Sequence, residues 1–121
     1  MKSKKLYANA TYVLGIDPSG AYDEGKGTTG WNIMCCATKE VIEVGTISAL
    51  DYKTRMEYWD AHTQLIRRCA NQYDKMVLSI EDYMLYKKAA LSQVNSTFET
   101  VQLLGIIKFF AWNYEIGRAH V

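Results

Sequence analysis

The sequence predicts an α/β fold built on a mixed β-sheet, and three patterns lead to this prediction. Three short segments rich in strand-forming residues come first, an amphipathic helical period follows them, and an apolar segment ending in a carboxylate follows the helix. Short connections indicate an antiparallel meander, whereas a strand reached through a helix is expected to run parallel to an earlier one, with a right-handed crossover. The predicted order is three antiparallel strands, a helix, a parallel fourth strand and a second helix.

The four strands are predicted from runs of apolar and β-branched residues. They cover residues 12–17, 29–37, 41–47 and 75–83. The third, VIEVGTI, alternates apolar and polar residues, which is typical of a strand with one buried face.

Both helices are predicted from apolar residues that recur every three or four positions. The first covers 54 to about 73, and its apolar face consists of Tyr58, Trp59, His62, Leu65, Ile66, Cys69 and Tyr73. The second is predicted to begin at STFE, residues 96–99, which has the spacing of a capping box. Gly105 inside it indicates either a close backbone approach or a tolerated helix glycine.

Composition places the chain among small globular domains. Its 121 residues are 49% hydrophobic, enough for one core. No run approaches the roughly 18 apolar residues of a membrane span, and the start lacks a signal peptide's apolar stretch, so we expect a cytoplasmic protein. The net charge of +1 neither supports nor excludes a nucleic-acid partner. Cys35, Cys36 and Cys69 are expected to be reduced core thiols.

The last seven residues, EIGRAHV, depart abruptly from the apolar helix before them. They match one reading frame of a common sequencing-library adapter. We therefore expect residues 1–114 to be a partial domain, incomplete at its C-terminus, and residues 115–121 to be a non-native tail. A genuine polar C-terminus is the alternative.

Two strands end in the same way: VLGID at 13–17 and VLSIE at 77–81 each finish in a carboxylate. If the two strands are parallel neighbours, Asp17 and Glu81 emerge side by side at the sheet edge where open α/β folds place their sites. The alternative is structural: Asp17 caps a turn before Pro18, and Glu81 is merely exposed. Asp82 faces away from Glu81 unless a bulge intervenes.

Paired carboxylates have a characteristic chemistry. They repel each other unless they share a cation or a proton, and their hard oxygens suit Mg²⁺ or Mn²⁺. Two such ions roughly 3.5 to 4 Å apart can activate water and stabilise a leaving oxygen during phosphodiester cleavage.

The loop PSGAYDEGKGTTG, residues 18–30, is the other candidate feature. It lacks the spacing of a P-loop, and a strand rather than a helix follows it, so its glycines are interpreted mainly as turn residues. Thr28 and Thr29 could donate hydrogen bonds to phosphate or be ordinary strand residues.

GIDPSG and TGW, followed by SIEDYMLYKKAALSQVNSTFETVQLLGIIKFFAWN, resemble the RuvC-type Holliday junction resolvases, particularly their compact phage versions. The resemblance covers about residues 12–114 and implies a ribonuclease H-like mixed sheet. It also implies a metal-dependent, structure-selective endonuclease that acts on branched DNA in recombination and repair. Asp17 and Glu81 would bind two catalytic Mg²⁺ ions, with Mn²⁺ as a possible substitute.

The resemblance implies further roles. Lys87 and Lys88 become candidates for gripping the phosphate backbone, and Tyr83 and Tyr86 for stacking on unpaired bases, although packing is the alternative for both tyrosines. A homodimer is expected, because a four-way junction needs two symmetric cuts. If the source is viral, the expected cytoplasm is that of the host cell. Its contact would use Phe98, Leu103, Ile106, Phe109 and Trp112. The alternative is that missing C-terminal elements would cover these residues in a complete monomer.

The chain also departs from the family. Resolvases complete the site with two further acidic residues, or a His and an Asp, on a helix after a fifth strand, and neither element is recognised in this sequence. The first loop is also longer than usual, so Asp23 and Glu24 could either crowd the site or simply be solvated. We therefore expect weak or no nuclease activity from the 121 residues. An actin-like or sugar-kinase-type nucleotide-binding domain and a non-catalytic DNA-binding module remain alternatives.

Overall fold

The computed structural model describes residues 11–80, 87–114 and 116–118. Its strands and helices are, in chain order, β1 (Tyr12–Asp17), β2 (Thr28–Cys35), β3 (Glu40–Ser48), α1 (Arg55–Gln72), β4 (Met76–Ile80), α2 (Lys87–Asn113) and β5 (Gly117–Arg118). Short 3₁₀ turns cover Asp23–Gly25 and Ala49–Asp51.

The strands form one mixed sheet in the order β3-β2-β1-β4-β5. β2 is antiparallel to both β1 and β3, whereas β4 is parallel to β1. The predicted α/β fold, with three antiparallel strands and a parallel fourth, is therefore confirmed. This arrangement is compatible with a ribonuclease H-like fold but is not specific to it.

A fifth strand occurs where a non-native tail was predicted. Gly117 and Arg118 pair in parallel with Val77 and Leu78 of β4, at the edge of the sheet. The sheet is thus one short strand wider than the sequence pattern indicated.

Helix α1 begins where its sequence provides a cap. The hydroxyl oxygen of Thr54 accepts the backbone N–H of Glu57 at 3.1 Å, and the hydroxyl donates to the Glu57 carboxylate at 3.1 Å. This pairing satisfies a backbone donor that would otherwise be free at the helix start. The predicted apolar face is buried, including Tyr58, His62 and Cys69.

Helix α2 begins nine residues earlier than predicted, at Lys87 rather than Ser96. The segment KKAALSQVN consists largely of good helix formers and contains neither glycine nor proline, so nothing stops the helix from extending through it. The capping-box sequence therefore lies inside the helix. Gly105 is exposed, and a Cβ there would meet no described heavy atom within 4 Å.

The core lies between one face of the sheet and the two helices. Its fully buried side chains include Leu14, Ile33, Ile66, Leu78 and Ile107. Apolar burial on this scale is the main driving force for folding.

The cysteines divide between the core and the surface. Cys35 and Cys69 are buried free thiols, as predicted, whereas Cys36 is exposed because it leaves β2 for the following turn. Within the described ranges, no helix combines the length and apolar character required to cross a membrane.

Candidate functional site at the ends of the central strands

Strands β1 and β4 lie in a register that bears directly on the two predicted carboxylates. Ile16 pairs with Ile80, and Gly15 pairs with Ser79. Asp17 follows Ile16 in the sequence, and Glu81 follows Ile80. The predicted parallel neighbourhood is therefore confirmed up to the residue before each carboxylate.

Several predicted residues lie outside the part of the chain that the structure describes. These are Glu81, Asp82, Tyr83 and Tyr86. Lys87 and Lys88 begin α2, but their side chains are not described, and neither is that of Glu24. Their proposed roles stay predictions.

Asp17 is an exposed carboxylate on the sheet face opposite the helices. Its neighbour Ile16 is buried, and alternation along the strand directs Asp17 to the other side. Among the described residues, no hydrogen bond or ion pair engages its carboxylate. The alternative in which Asp17 caps the turn before Pro18 therefore lacks the hydrogen bond that it requires.

An open groove of about 470 Å³ crosses the sheet beside Asp17. Two adjacent cross-strand rows share this face. Starting from β3, they are Thr46, Gly30 and Asp17, and Val44, Asn32, Gly15 and Ser79. Each row contains one glycine, so the strand backbone is accessible between the polar side chains. A Cβ at Gly30 would meet no described heavy atom within 4 Å.

Asn32 and Ser79 are groove residues that the sequence patterns did not single out. Both are exposed and line the groove with Asp17. The partners of a residue in β2 depend on how many residues the preceding loop contains, and this loop is long. No local motif therefore indicated that Asn32 would stand opposite Gly15.

The loop after Asp17 is held by a buried hydrogen-bond network. The backbone N–H of Ser19 donates to Oγ1 of Thr29 at 3.1 Å, and the hydroxyl of Tyr58 donates to the Ser19 carbonyl at 2.6 Å. Oγ1 of Thr29 in turn lies 2.7 Å from Nε2 of His62. Both polar backbone groups of Ser19 are thus satisfied from β2 and α1.

The network assigns the tautomer of His62. Its Nδ1 lies 2.9 Å from the carbonyl oxygen of Tyr58, which can only accept, so Nδ1 carries the hydrogen. Nε2 is then the acceptor for the Thr29 hydroxyl. Burial lowers the pKa of His62 to about 4, which keeps the ring neutral at physiological pH.

Thr29 does not have the position that a DNA contact requires. Its side chain is fully buried and hydrogen-bonded within the protein, so its predicted contact with phosphate is corrected to a structural role. Thr28 is exposed and stays a candidate.

A second set of contacts holds Gly20. Its N–H donates to Oγ1 of Thr100 at 3.0 Å, and Nε1 of Trp59 donates to its carbonyl at 3.0 Å. A Cβ at Gly20 would lie 2.2 Å from the carbonyl oxygen of Glu99, so only glycine fits against α2. The N–H groups of Ser19 and Gly20 therefore already donate hydrogen bonds within the protein, which weighs against a role of this loop in binding phosphate.

The carboxylate of Asp17 fits a hard divalent cation. No cluster of three or more His, Cys, Asp or Glu residues occurs within the described ranges. Magnesium, however, commonly takes one or two protein carboxylates and completes its shell with waters and substrate phosphates. The exposed carboxylate of Asp17 is a suitable donor for such an ion.

Comparison with known proteins added no identification. A scan against protein-family models found no match, and a search of curated proteins found none either.

Proposed function

We propose that this chain is part of a metal-dependent endonuclease of the RuvC type, which cleaves phosphodiester bonds in branched DNA such as Holliday junctions. The observation that carries the proposal is the parallel register of β1 and β4. It pairs Ile16 with Ile80, the residues that directly precede Asp17 and Glu81, beside an open groove. A carboxylate at the same end of two neighbouring parallel strands is an arrangement that suits shared cations.

Each group has a defined role in this proposal. Asp17 and Glu81 hold Mg²⁺ or Mn²⁺, with two ions in the complete site. When bound, the ions lower the pKa of water and stabilise charge on the phosphate. The protein presents the exposed carboxylate of Asp17 at the edge of the groove. Glycines line the bottom of this groove, so a sugar-phosphate backbone can approach the sheet.

Contacts beyond the metal site complete the proposal. Lys87, Lys88 and Thr28 contact the DNA backbone, and Tyr83 and Tyr86 stack on unpaired bases. Phosphate contacts of this kind increase affinity without reading sequence. The protein would act in the cytoplasm, which is the host's if the source is viral.

A homodimer is part of the proposal. The apolar residues Val101, Phe109 and Trp112 are 48%, 60% and 72% exposed on α2, and with Gly105 they form one helical stripe at spacings of three and four residues. We call this set the α2 stripe. Leu103 was predicted to belong to the dimer contact. It is fully buried in the monomer core, so it is not part of the proposed contact. The side chain of Phe98 lies outside the described part.

The test measures metal and DNA binding, because weak or no cleavage is expected from these 121 residues alone. Manganese is titrated into the ¹⁵N-labelled chain, and paramagnetic broadening should appear first at Gly15, Gly30 and Ser79. Asp17→Asn should abolish this pattern. Asp51→Asn, an exposed aspartate in the 3₁₀ turn, is the matched control and should leave it unchanged.

Junction binding gives the second readout. A labelled four-way junction and a duplex of equal length are compared by anisotropy in Ca²⁺, so that binding is measured without cleavage. The proposal expects tighter binding of the junction. Equal affinity for both DNAs, or manganese broadening that persists in Asp17→Asn, would overturn it.

A further inference from the structure

We propose that Asn32 is a substrate-positioning residue whose side-chain amide donates a hydrogen bond to the phosphodiester backbone of the DNA strand lying in the groove. The inference rests on the proposed nuclease function and adds to it a residue outside the carboxylate pair. It concerns how the strand is held next to Asp17.

The position of Asn32 in the sheet places it near Asp17. Asn32 stands opposite Gly15 on β1, and Asp17 lies two residues further along that strand, on the same face. Two residues along a strand span about 6.6 to 6.8 Å. Asn32 is therefore placed one cross-strand row from Asp17, close enough for one extended chain of phosphates to reach both residues.

The two glycines leave the amide of Asn32 accessible. A Cβ at Gly15 would lie 3.2 Å from Nδ2 of Asn32, so the amide lies close above the bare backbone of β1. Gly30, beside Asp17 in the next row, leaves open space above its own position. A ligand can thus descend to the sheet between Asp17 and Asn32.

The amide is also available for bonding. Asn32 is exposed, and no described residue forms a hydrogen bond with its side chain. Its NH₂ group offers two donors, and phosphate oxygens are acceptors. Ser79, exposed in the same row on the far side of Gly15, adds a hydroxyl donor.

The groove favours a sugar-phosphate backbone over a stacked base. Trp31 is the aromatic residue among the described groove-lining residues, but alternation along β2 directs its ring to the helix face of the sheet. Its ring lies against Arg68, with the guanidinium carbon 5.6 Å from the ring centroid, and over Gly45. Base stacking needs a free aromatic face, whereas backbone recognition needs hydrogen-bond donors on an accessible floor. The groove provides the hydrogen-bond donors and the accessible surface that backbone recognition needs.

The test compares the affinity of variants of the 121-residue chain for a labelled four-way junction in Ca²⁺. Asn32→Ala should bind about tenfold more weakly, because a hydrogen bond to a charged acceptor is lost. The dependence of affinity on salt should keep its slope, since no charge is removed. Thr46→Ala is the matched control, because Thr46 is exposed on the same sheet face but does not line the groove.

A chemical substitution separates direct contact from a structural effect. Junctions carrying one methylphosphonate linkage lack a charged oxygen at a chosen position. At the linkage that Asn32 contacts, the losses caused by the methylphosphonate and by Asn32→Ala should not add. Asn32→Val, which suits a strand and has no donor, should reproduce the loss if Asn32→Ala unfolds.

The outcomes distinguish this inference from the proposed function. If the wild-type chain shows junction preference and Asp17-dependent manganese binding, but Asn32→Ala and Asn32→Val bind as tightly as wild type, the role of Asn32 is overturned and the function stands. Additive losses at every linkage also overturn it. A wild-type chain that does not prefer the junction overturns both.

Discussion

Oγ1 of Thr29 lies 2.7 Å from Nε2 of His62, and both side chains are completely buried. This contact joins β2 to α1. Because Oγ1 also accepts the N–H of Ser19, it ties helix α1 to the loop that follows Asp17. The position of the candidate carboxylate therefore depends on a polar network in the protein interior.

Replacing Thr29 tests that network directly. Thr29→Val keeps the shape but removes the hydroxyl, leaving the Ser19 N–H and His62 Nε2 without their partner. We expect the free energy of unfolding to fall by about 2 kcal/mol. Thr29→Ser keeps the hydroxyl and should lose less. Urea denaturation of both variants measures the difference, and equal losses would contradict the role of the hydroxyl.

The buried His62 predicts how stability depends on pH. Burial lowers its pKa from 6.5 to about 4, so below pH 6.5 the unfolded chain binds a proton that the folded chain does not. The associated stability is present above pH 6.5 and is lost as pH falls toward 4. The loss at pH 5 should be about 2 kcal/mol.

His62→Gln is the comparison for this pH effect. The variant lacks the titrating ring, so the difference in unfolding free energy between wild type and variant should change between pH 7.5 and pH 5. Urea titrations at the two pH values measure it. A difference that stays constant would show that another group causes the wild-type slope.

Two glycines should respond oppositely to the same substitution. Gly20→Ala would place a Cβ 2.2 Å from the backbone carbonyl of Glu99, which cannot move aside like a flexible side chain. We expect a loss of about 3 kcal/mol or more. Gly30→Ala enters open space and removes a flexible residue from a strand, so it should be neutral or stabilising by about 0.5 kcal/mol. The melting temperatures of the two variants measure this difference, and similar values would contradict the described packing.

Glu43 is expected to contribute modestly through its hydrogen bonds. Burial acts to raise its pKa, but hydrogen bonds from Tyr73 and Arg68 outweigh burial and hold the pKa below its ordinary value of 4.5. The stabilisation is therefore present above pH 4.5 and is lost as pH falls through the lowered pKa.

The variant Glu43→Gln measures this contribution. It should cost about 1 kcal/mol at pH 7, because the pair with Arg68 is partly exposed, and the cost should shrink in acid. Glu40→Gln on the same strand, where the carboxylate is exposed, is the control and should have little effect at either pH. If Glu40→Gln costs as much, the partners of Glu43 are not the cause.

The α2 stripe predicts self-association. Phe109 and Trp112 are exposed, and their rings lie 6.1 Å apart. Trp112→Glu should convert a dimer to a monomer in sedimentation velocity, since a charge replaces the apolar contact. Asn113→Glu, at an exposed polar position beside it, should leave the dimer intact. A wild-type chain that sediments as a monomer at all concentrations would contradict the prediction.

Local sequence patterns predicted the strands and helices better than they predicted the contacts between them. The bounds of β1 match the prediction, and the buried face of α1 follows its helical period. The start of α2 was wrong because a capping-box sequence also occurs inside a helix, where the preceding residues have high helix propensity.

The site was predicted less completely for a physical reason. Asp17 was found because it ends an apolar strand, a local feature. The partnership of Thr29 with His62 joins residues 33 positions apart, and the place of Asn32 opposite Gly15 depends on the hairpin register. Such contacts are set by the packing of whole elements, which no short motif encodes.

Gly20 and Thr100 are 80 positions apart, yet their hydrogen bond helps to shape the loop beside Asp17. On the ribosome, the first three strands and α1 emerge before Thr100 does. A nascent chain at that stage can pair its strands, but it lacks the helix against which Gly20 packs. The loop is therefore completed late in translation, and a chain released before Thr100 would lack the contact that fixes Gly20 against α2.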